Sequence, residues 1–349
     1  MIRKINAALV LVSLFSLTAC GEENNEGIND QNFEGSNVVG GLEMSGDIGD
    51  YNPELDIDDP AHDPALLEAD GEYIVFSTGI LRDQTDPGGI FIRKSNDDLS
   101  GPWSSVGEIE PPDWTLDYSP EHLWAPSAIE YEGTYYLYYA TSSFGSNVSA
   151  IGVVQSDEPE NPDSWEDLGP LIESDSSTGY NAIDPHVFEE DEELWIVFGS
   201  HFSGIQLTRL SSPDQVDDSY EMVHLQSRPE IQHNPVEAPT IIERDGYYFL
   251  FTSWDQCCQG LDSTYRIAVG RADQLEGPYE DRDGNPLTDG GGDILLEAEE
   301  NQTGPGGQDI FQENDSYYLI HHYYDENADG LIRMQIRTIA WEDGWPALE

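Results

Sequence analysis

His62-Asp63-Pro64-Ala65-Leu66-Leu67-Glu68-Ala69-Asp70-Gly71-Glu72-Tyr73-Ile74-Val75-Phe76-Ser77 is the stretch from which the fold is read. It is a strand, a tight acidic-Gly turn and an aromatic strand. Asp-Gly between two apolar runs signals a hairpin, because Gly supplies the positive φ the turn needs. The pattern returns at Trp124-Ala125-Pro126-Ser127-Ala128-Ile129, with Glu132-Gly133 and then Tyr135-Tyr136-Leu137-Tyr138-Tyr139. It returns again at Ile183-Asp184-Pro185-His186-Val187-Phe188, followed by Trp195-Ile196-Val197-Phe198-Gly199-Ser200. A fourth copy is Glu237-Ala238-Pro239-Thr240-Ile241-Ile242, with Asp245-Gly246 and Tyr247-Tyr248-Phe249-Leu250-Phe251. The faintest is Gly307-Gln308-Asp309-Ile310-Phe311, then Tyr317-Tyr318-Leu319-Ile320-His321-His322.

Aligning Asp63, Ala125, Asp184, Ala238 and Gly307 gives a period of about 60 residues, room for about four short strands. Five such units, rich in Gly and Pro turns, predict an all-β, five-bladed β-propeller. A β-sandwich with coincidental hairpins is the alternative, but it requires no fixed period with the same residue types at its start. In a propeller the innermost strand of each blade lines a central channel. Residues at the start of that strand face one another across one mouth. There the chain carries Asp63, Asp184 and Glu237, from three different units.

The chain has 349 residues and a formal net charge of −57, with lysine only at Lys4 and Lys94. So large an acidic excess repels nucleic acid and anionic lipid. It reads as adaptation to salty water, where screening is short-ranged; calcium-binding surface acids are the competing reading. Arg3 and Lys4 precede an apolar run from Ala7 to Leu17, too short to span a membrane, which is expected to be a secretory signal covering residues 1–19. The run ends Leu17-Thr18-Ala19-Cys20, which resembles a bacterial lipobox and implies a lipid on Cys20. Residues 20–57 are Asn-, Glu-, Asp-, Gly- and Ser-rich, contain no Lys or Arg, and read as a solvated tether. The propeller is expected over 58–349. A lipid-anchored protein of the cell envelope (outer membrane or cell surface), acting as a monomer, is the corresponding expectation. The other cysteines, Cys257 and Cys258, are adjacent. They leave three options: a vicinal disulfide, two buried thiols or a metal pair.

Three acids at a channel mouth suit glycoside hydrolysis. One carboxylic acid protonates the leaving oxygen, and a carboxylate activates water or attacks the sugar. A third raises the acid's pKa by like-charge repulsion. A calcium site on the axis, or a water-filled channel lining, would need the same residues.

The chain resembles the glycoside hydrolase family 43 arabinanases, in their endo-acting branch. The stretches that carry this are His62-Asp63-Pro64, Leu123-Trp124-Ala125-Pro126, Ser143-Phe144-Gly145-Ser146-Asn147, Tyr180-Asn181-Ala182-Ile183-Asp184-Pro185, Glu237-Ala238-Pro239, Cys257-Cys258-Gln259-Gly260, Ser263-Thr264-Tyr265, Gly290-Gly291-Gly292 and Gly304-Pro305-Gly306. The resemblance implies inverting hydrolysis of α-1,5-linked L-arabinofuranose chains, with arabinan or arabino-oligosaccharide as substrate. It makes Asp63 the general base, Glu237 the general acid and Asp184 the residue that tunes and orients the acid. Trp124 and Phe144 match positions that pack on the sugar rings, and Gly145, Asn181 and Ser200 match positions that hydrogen-bond the sugar. His62 either orients the base or is structural; Arg266 either pairs with a catalytic acid or forms an ordinary salt bridge.

Three departures stand out. Relatives often carry a His after Gly-Pro-Gly that helps hold an ion in the channel. Here the position is Gly307, which leaves Gln308, His321 or water to hold one calcium or sodium ion, or no ion at all. Ser127 stands where relatives have Asp. His201-Phe202 stands where relatives have Phe-Trp, which places His201 near the substrate cleft and implies altered subsite preference. Exo-acting arabinofuranosidase or xylosidase activity on the same fold, and a non-catalytic carbohydrate-binding surface lipoprotein, are the alternative functions.

Overall fold

The Asp-Gly turns fold as the sequence requires. In the computed structural model, Asp70 and Gly71 have φ of 52° and 81°, Glu132 and Gly133 53° and 83°, and Asp245 and Gly246 55° and 80°. Positive φ at both central residues is the hairpin turn whose twist matches the flanking strands. The third copy makes its turn without glycine, at Asp191 and Glu192, with φ of 53° and 64°. Glu68 and Glu243 each accept the N–H of the turn glycine three residues on, at 3.0 and 2.6 Å.

The structure describes residues 38–41 and 61–348, apart from 82–85, 96–97, 102 and 119–120. The signal segment, Cys20 and most of the tether lie outside the described residues. Each hairpin continues into an antiparallel sheet, and the sheets are the five blades of a β-propeller. Blade 1 is Ala65–Ala69, Glu72–Ser77, Ile90–Ser95 and Ser104–Ile109. Blade 2 is Trp124–Tyr131, Thr134–Thr141, Ser149–Ser156 and Glu166–Ser174. Blade 3 is His186–Glu190, Glu193–Phe198 and Ile205–Ser212, with Gln215–Val216 and Val223–Gln226 both paired to the third strand. Blade 4 is Val236–Arg244, Tyr247–Trp254, Arg266–Ala272 and Asp293–Leu296. Blade 5 is Gln302–Glu313, Ser316–Asp325 and Leu331–Glu342, with Trp345–Ala347 on the last. Its outer strand is Val38–Gly41, from within the stretch read as a tether, paired antiparallel with Leu331–Glu342. Backbone pairing of this kind needs no apolar side chains.

The second strands read as nearly continuous apolar runs because blades cover both of their faces. Phe76 and Ile74 pack with Leu137 and Tyr139 of blade 2, whereas Val75 packs with Ile320 and Ile336 of blade 5. Likewise Tyr138 turns toward Ile196 and Phe198 of blade 3. Five apolar clusters thus fill the five spaces between adjacent blades.

Toward the axis, the five aligned residues share one conformation. Asp63, Ala125, Asp184, Ala238 and Gly307 have φ of 48°, 42°, 55°, 50° and 55°. Four of the five are not glycine, so those four copies accept local strain at the same point. These residues and the two that follow each of them line the channel. The inner strands splay too far to pair, so the third residue of a triplet often serves the next blade. Ser127 accepts the N–H of Val187 at 3.1 Å, and His186 Nδ1 that of Ile241 at 3.4 Å. Thr240 donates to the Gln308 carbonyl at 3.0 Å, and Asp309 accepts the N–H of Leu66 at 2.9 Å, which joins the last blade to the first. In blade 1 this third residue is Ala65, and Thr78 takes over by accepting the N–H of Ala125 at 2.8 Å.

Candidate active site

Asp63 ends the approach to the first inner strand, and its carboxylate is surrounded by donors. His62 Nδ1 donates to Oδ2 at 2.7 Å, and so does the Thr78 hydroxyl at 2.7 Å. The Asp63 N–H donates to His322 Nδ1 at 3.1 Å, and that nitrogen lies 3.5 Å from Oδ1. Burial opposes ionisation, but His62 above all, and then the Thr78 hydroxyl, hold the carboxyl down at about 2. Burial, and then His62, push His322 well below the ordinary imidazole value, so its ring is neutral and its Nδ1 can accept. The rings of His62 and His322 stack with centroids 3.8 Å apart.

His62 is itself oriented. The Cys258 N–H donates to the Tyr324 hydroxyl at 3.1 Å, and that hydroxyl lies 3.2 Å from His62 Nε2. With Nδ1 donating to Asp63, Nε2 accepts from Tyr324, and a hydrogen-bonded chain runs from loop backbone to carboxylate. Cys257 and Cys258 are joined in a disulfide, the first of the three options above. Their sulfurs lie 3.4 and 3.8 Å from His62 Nε2.

Glu237, from blade 4, has a partner on each oxygen. Ser200 donates to Oε2 at 2.5 Å and Tyr265 to Oε1 at 2.6 Å. Burial and the neighbouring acids raise Tyr265 well above the ordinary phenol value, so it stays a donor. His201 Nε2 lies 3.6 Å from Oε2. Asp184 accepts the N–H of Ala238 at 3.1 Å. Burial, then the charges of Glu237 and Asp63, push its carboxyl well above the ordinary value. The structure therefore brings all three acids together within electrostatic reach.

The other residues singled out from sequence divide. Trp124 and Phe144 face each other with ring centroids 5.1 Å apart, and Phe144 is 69% exposed. Gly145 follows it at φ 77°, with open space where a side chain would stand. Asn181 is buried, and its Oδ1 accepts from the Ser149 hydroxyl at 2.7 Å. Ser200 and His201 touch Glu237. Arg266 pairs with Asp255 at 2.7 Å, not with a site acid.

The donors expected for a channel ion are engaged elsewhere. Gln308 accepts from Ser253 through Oε1 and donates through Nε2 to the Ala238 carbonyl. His321 is buried with Nδ1 at the His322 carbonyl, and it is not a channel-lining residue. Neighbouring strand residues point to opposite faces, so it is His322 that reaches the site. Among the described residues, three-donor groups occur at His62, Asp63 and His322, and at His62, Cys257 and Cys258. In the first, His322 Nδ1 is used by the Asp63 N–H; in the second, the sulfurs are bonded to each other. The residues present do not fit a channel ion.

Thr78, Tyr265, His322 and Tyr324 were not singled out as site residues. A signal for three of them exists: in a hairpin, the second strand ends where the first begins. Thr78 and Ser200 follow the second strands of blades 1 and 3, His322 pairs with Gly306, one residue before the aligned Gly307, and Tyr324 lies two residues beyond His322.

A five-bladed propeller with three acids at one channel mouth defines a glycoside-hydrolase-like architecture. The family model for glycosyl hydrolases family 43 matches residues 57–346, and the chain belongs to that family. It is 38% identical over 292 residues to an extracellular endo-α-(1→5)-L-arabinanase of Bacillus subtilis, covering 82% of this chain and 87% of that protein. The structure superposes on a family 43 endo-arabinanase from Bacillus licheniformis with a TM-score of 0.75 and 39% identity, covering 83% of this chain and 98% of the other. It matches an exo-1,5-α-L-arabinanase from a bovine ruminal metagenomic library equally well, with a TM-score of 0.75, 35% identity, and 83% and 97% coverage.

Proposed function

We propose that the protein is an inverting arabinan hydrolase that cleaves α-1,5-linked L-arabinofuranose chains internally. The observation that carries this reading is the opposite environment of two acids at equivalent repeat positions. Asp63, with His62 and Thr78 donating to it, is held down at about 2; Asp184, beside two other acids, is pushed well above the ordinary carboxyl value. In this reading Asp63 takes a proton from the attacking water, and Glu237 gives its proton to the leaving oxygen. Asp184 accepts the N–H of Ala238, the residue after Glu237, and so orients the acid. Ser200 and Tyr265 stabilise the carboxylate that Glu237 becomes. No step is assigned to an ion.

Internal cleavage is supported by exposed aromatic rings carried by two different blades, beside residues that reach the acids, and by the endo-acting relatives. Phe144, 69% exposed, lies beside Trp124, whose neighbour Ala125 is bonded to Thr78, and Phe202, 46% exposed, follows His201, which touches Glu237. The reading also includes export, a lipid on Cys20 and activity that rises with salt. The apolar run before Cys20, the charge of −57 and the extracellular Bacillus subtilis relative support these.

The test is product analysis on linear arabinan with the wild type and Glu237→Gln. Wild type is expected to release mixed oligomers early, with inverted anomeric configuration, and the variant to lose at least about a thousandfold in kcat. Arabinose as the sole early product would overturn internal cleavage; near-normal turnover by the variant would overturn the acid assignment.

A further inference from the structure

His62 gives its Nδ1 proton to Asp63 and turns Nε2 toward the disulfide. Cys257 Sγ lies 3.4 Å from that nitrogen and Cys258 Sγ 3.8 Å. These three residues form one of the two three-donor groups among the described residues. A zinc-class ion bonds sulfur at about 2.3 Å and imidazole nitrogen at about 2.0–2.1 Å, so tetrahedral angles set a sulfur and a nitrogen about 3.6 Å apart. The two observed distances bracket that value. The same ion needs its two sulfurs about 3.8 Å apart and both as thiolates. A bonded pair can provide neither, so the oxidised cysteines close the site.

The surroundings are those of a ligating histidine. Such a ring donates its other N–H to a carboxylate, which fixes the tautomer and makes the free nitrogen a better ligand. His62 Nδ1 does this to Asp63 at 2.7 Å, and the stack on His322, with centroids 3.8 Å apart, fixes the ring plane. The cysteine loop is braced on both sides of the pair. The Thr264 N–H donates to the Gln256 carbonyl at 3.0 Å, and the Gln259 N–H to the Ser263 hydroxyl at 3.0 Å. The Tyr324 hydroxyl, 3.2 Å from Nε2, is the donor an ion displaces, and it keeps the Cys258 N–H as a partner. Cys258 is exposed, so a reductant can reach the bond and water can fill a fourth position. We propose that reduced Cys257 and Cys258, with His62 Nε2, bind one thiophilic divalent cation of the zinc class, and that the disulfide is the gate that closes this site. A trialkylphosphine and water open it. The S–S bond breaks, phosphorus takes the water oxygen to become the phosphine oxide, and the two water hydrogens end on the sulfurs. Binding then releases both as protons, because the ligands are thiolates.

The experiment titrates cadmium, whose bonds to thiolate absorb in the ultraviolet, into the full chain before and after phosphine reduction, with the phosphine removed under nitrogen. Reduced wild type is expected to bind a single cadmium ion with the thiolate band, to release about two protons and to give the ion up to excess zinc. The unreduced protein is expected to show no band. Cys257→Ser with Cys258→Ser, which keeps Cys20, should lack the band in both states. His62→Gln should bind at least about tenfold more weakly, since even an outer partner of a metal ligand has an effect of that size. Tyr324→Phe, which removes the competing hydroxyl and leaves the ring, should bind at least as tightly as wild type. A band in the unreduced protein or in the double serine variant overturns the site. So does cadmium held by the reduced protein without the band, which is binding by surface carboxylates. A folded His62→Gln that binds as tightly as wild type, or a Tyr324→Phe that binds more weakly, also overturns it. None of these outcomes bears on the assignment of Asp63 or Glu237.

Discussion

Thr78 is the residue through which the site and the scaffold meet. Its hydroxyl donates to Asp63 Oδ2 at 2.7 Å and accepts the N–H of Ala125 at 2.8 Å. Thr78→Val keeps the shape and removes both bonds. A hydrogen bond to a charged group contributes about 1.5–3 kcal/mol, and a buried N–H left without a partner costs about 1–3 kcal/mol. The two share one hydroxyl and do not simply add, so a destabilisation of about 3 kcal/mol is expected. Because Thr78 helps hold the carboxyl of Asp63 down, the acid limb of kcat/KM should also rise in the variant. Urea unfolding at neutral pH gives the first quantity, and the pH profile on linear arabinan gives the second. Thr78→Ser, which retains the hydroxyl, should restore most of both. If Thr78→Val unfolds within about 0.5 kcal/mol of wild type, or if serine fares no better than valine, the hydroxyl does not join the two blades as described.

Gly307→Ala tests a close approach. A Cβ there would lie 2.2 Å from Asp63 Oδ1 and 2.7 Å from His322 Nδ1. Moving the carboxylate by about 1 Å to relieve the contact should cost about a hundredfold in kcat on arabinan, and turnover within twofold of wild type would contradict the geometry. Asp309→Asn tests the clasp between blades 5 and 1. Burial raises the Asp309 carboxyl to about 6 from the ordinary 3.8, so its contribution to stability is full below 3.8 and lost as pH rises through 6. At 1.36 kcal/mol per pH unit that loss is about 3 kcal/mol, which the amide avoids while giving up about 1 kcal/mol of hydrogen bonding. The variant should therefore be more stable than wild type at pH 7.5 and less so at pH 3.5. Unfolding curves that stay parallel between these values would refute the placement of the charge. Asp63→Asn should abolish turnover and recover part of it with azide, which replaces the activated water; an active variant would remove Asp63 as the base.

Most of the fold was legible because the repeat is written in turn chemistry, and glycine and Asp-Gly pairs admit few conformations. The alignment of Asp63, Ala125, Asp184, Ala238 and Gly307 needed only residue types, yet it marks five residues with φ between 42° and 55°. The partners of the acids were less legible because they come from second strands, whose pattern is dominated by packing. Ser77-Thr78 and Gly199-Ser200 at the ends of their strands, and His321-His322 within the blade 5 strand, are polar where the strands are apolar. That break was the available signal. The choice of His321 over His322 shows the limit of reading composition alone: one residue along a strand exchanges the site for the space between blades. The strand Val38–Gly41 offers only Val38-Val39 before two glycines, too short a run to stand out from the acidic stretch around it, and it is held by pairing to blade 5.

Asp63 and Asp184 show what the repeat contributes and what it leaves open. Both stand at the same point of their blades, with nearly equal φ, and both are removed from water. Had the scaffold alone decided, they would titrate alike. They diverge because one accepts from His62 and Thr78, while the other meets a single backbone N–H and two carboxylates. Each of these side chains lies on a different strand from the acid it acts on, save His62 beside Asp63. The repeat therefore fixes where a carboxyl points, and residues outside the aligned position decide whether it carries a charge. Reversing the environments should reverse the charges. Removing the two side chains that donate to Asp63, by His62→Gln with Thr78→Val, should raise its pKa toward that of Asp184 and move the acid limb of kcat/KM up with it. An acid limb that stays in place in that double variant would mean that the repeat position itself, rather than its neighbours, sets the charge.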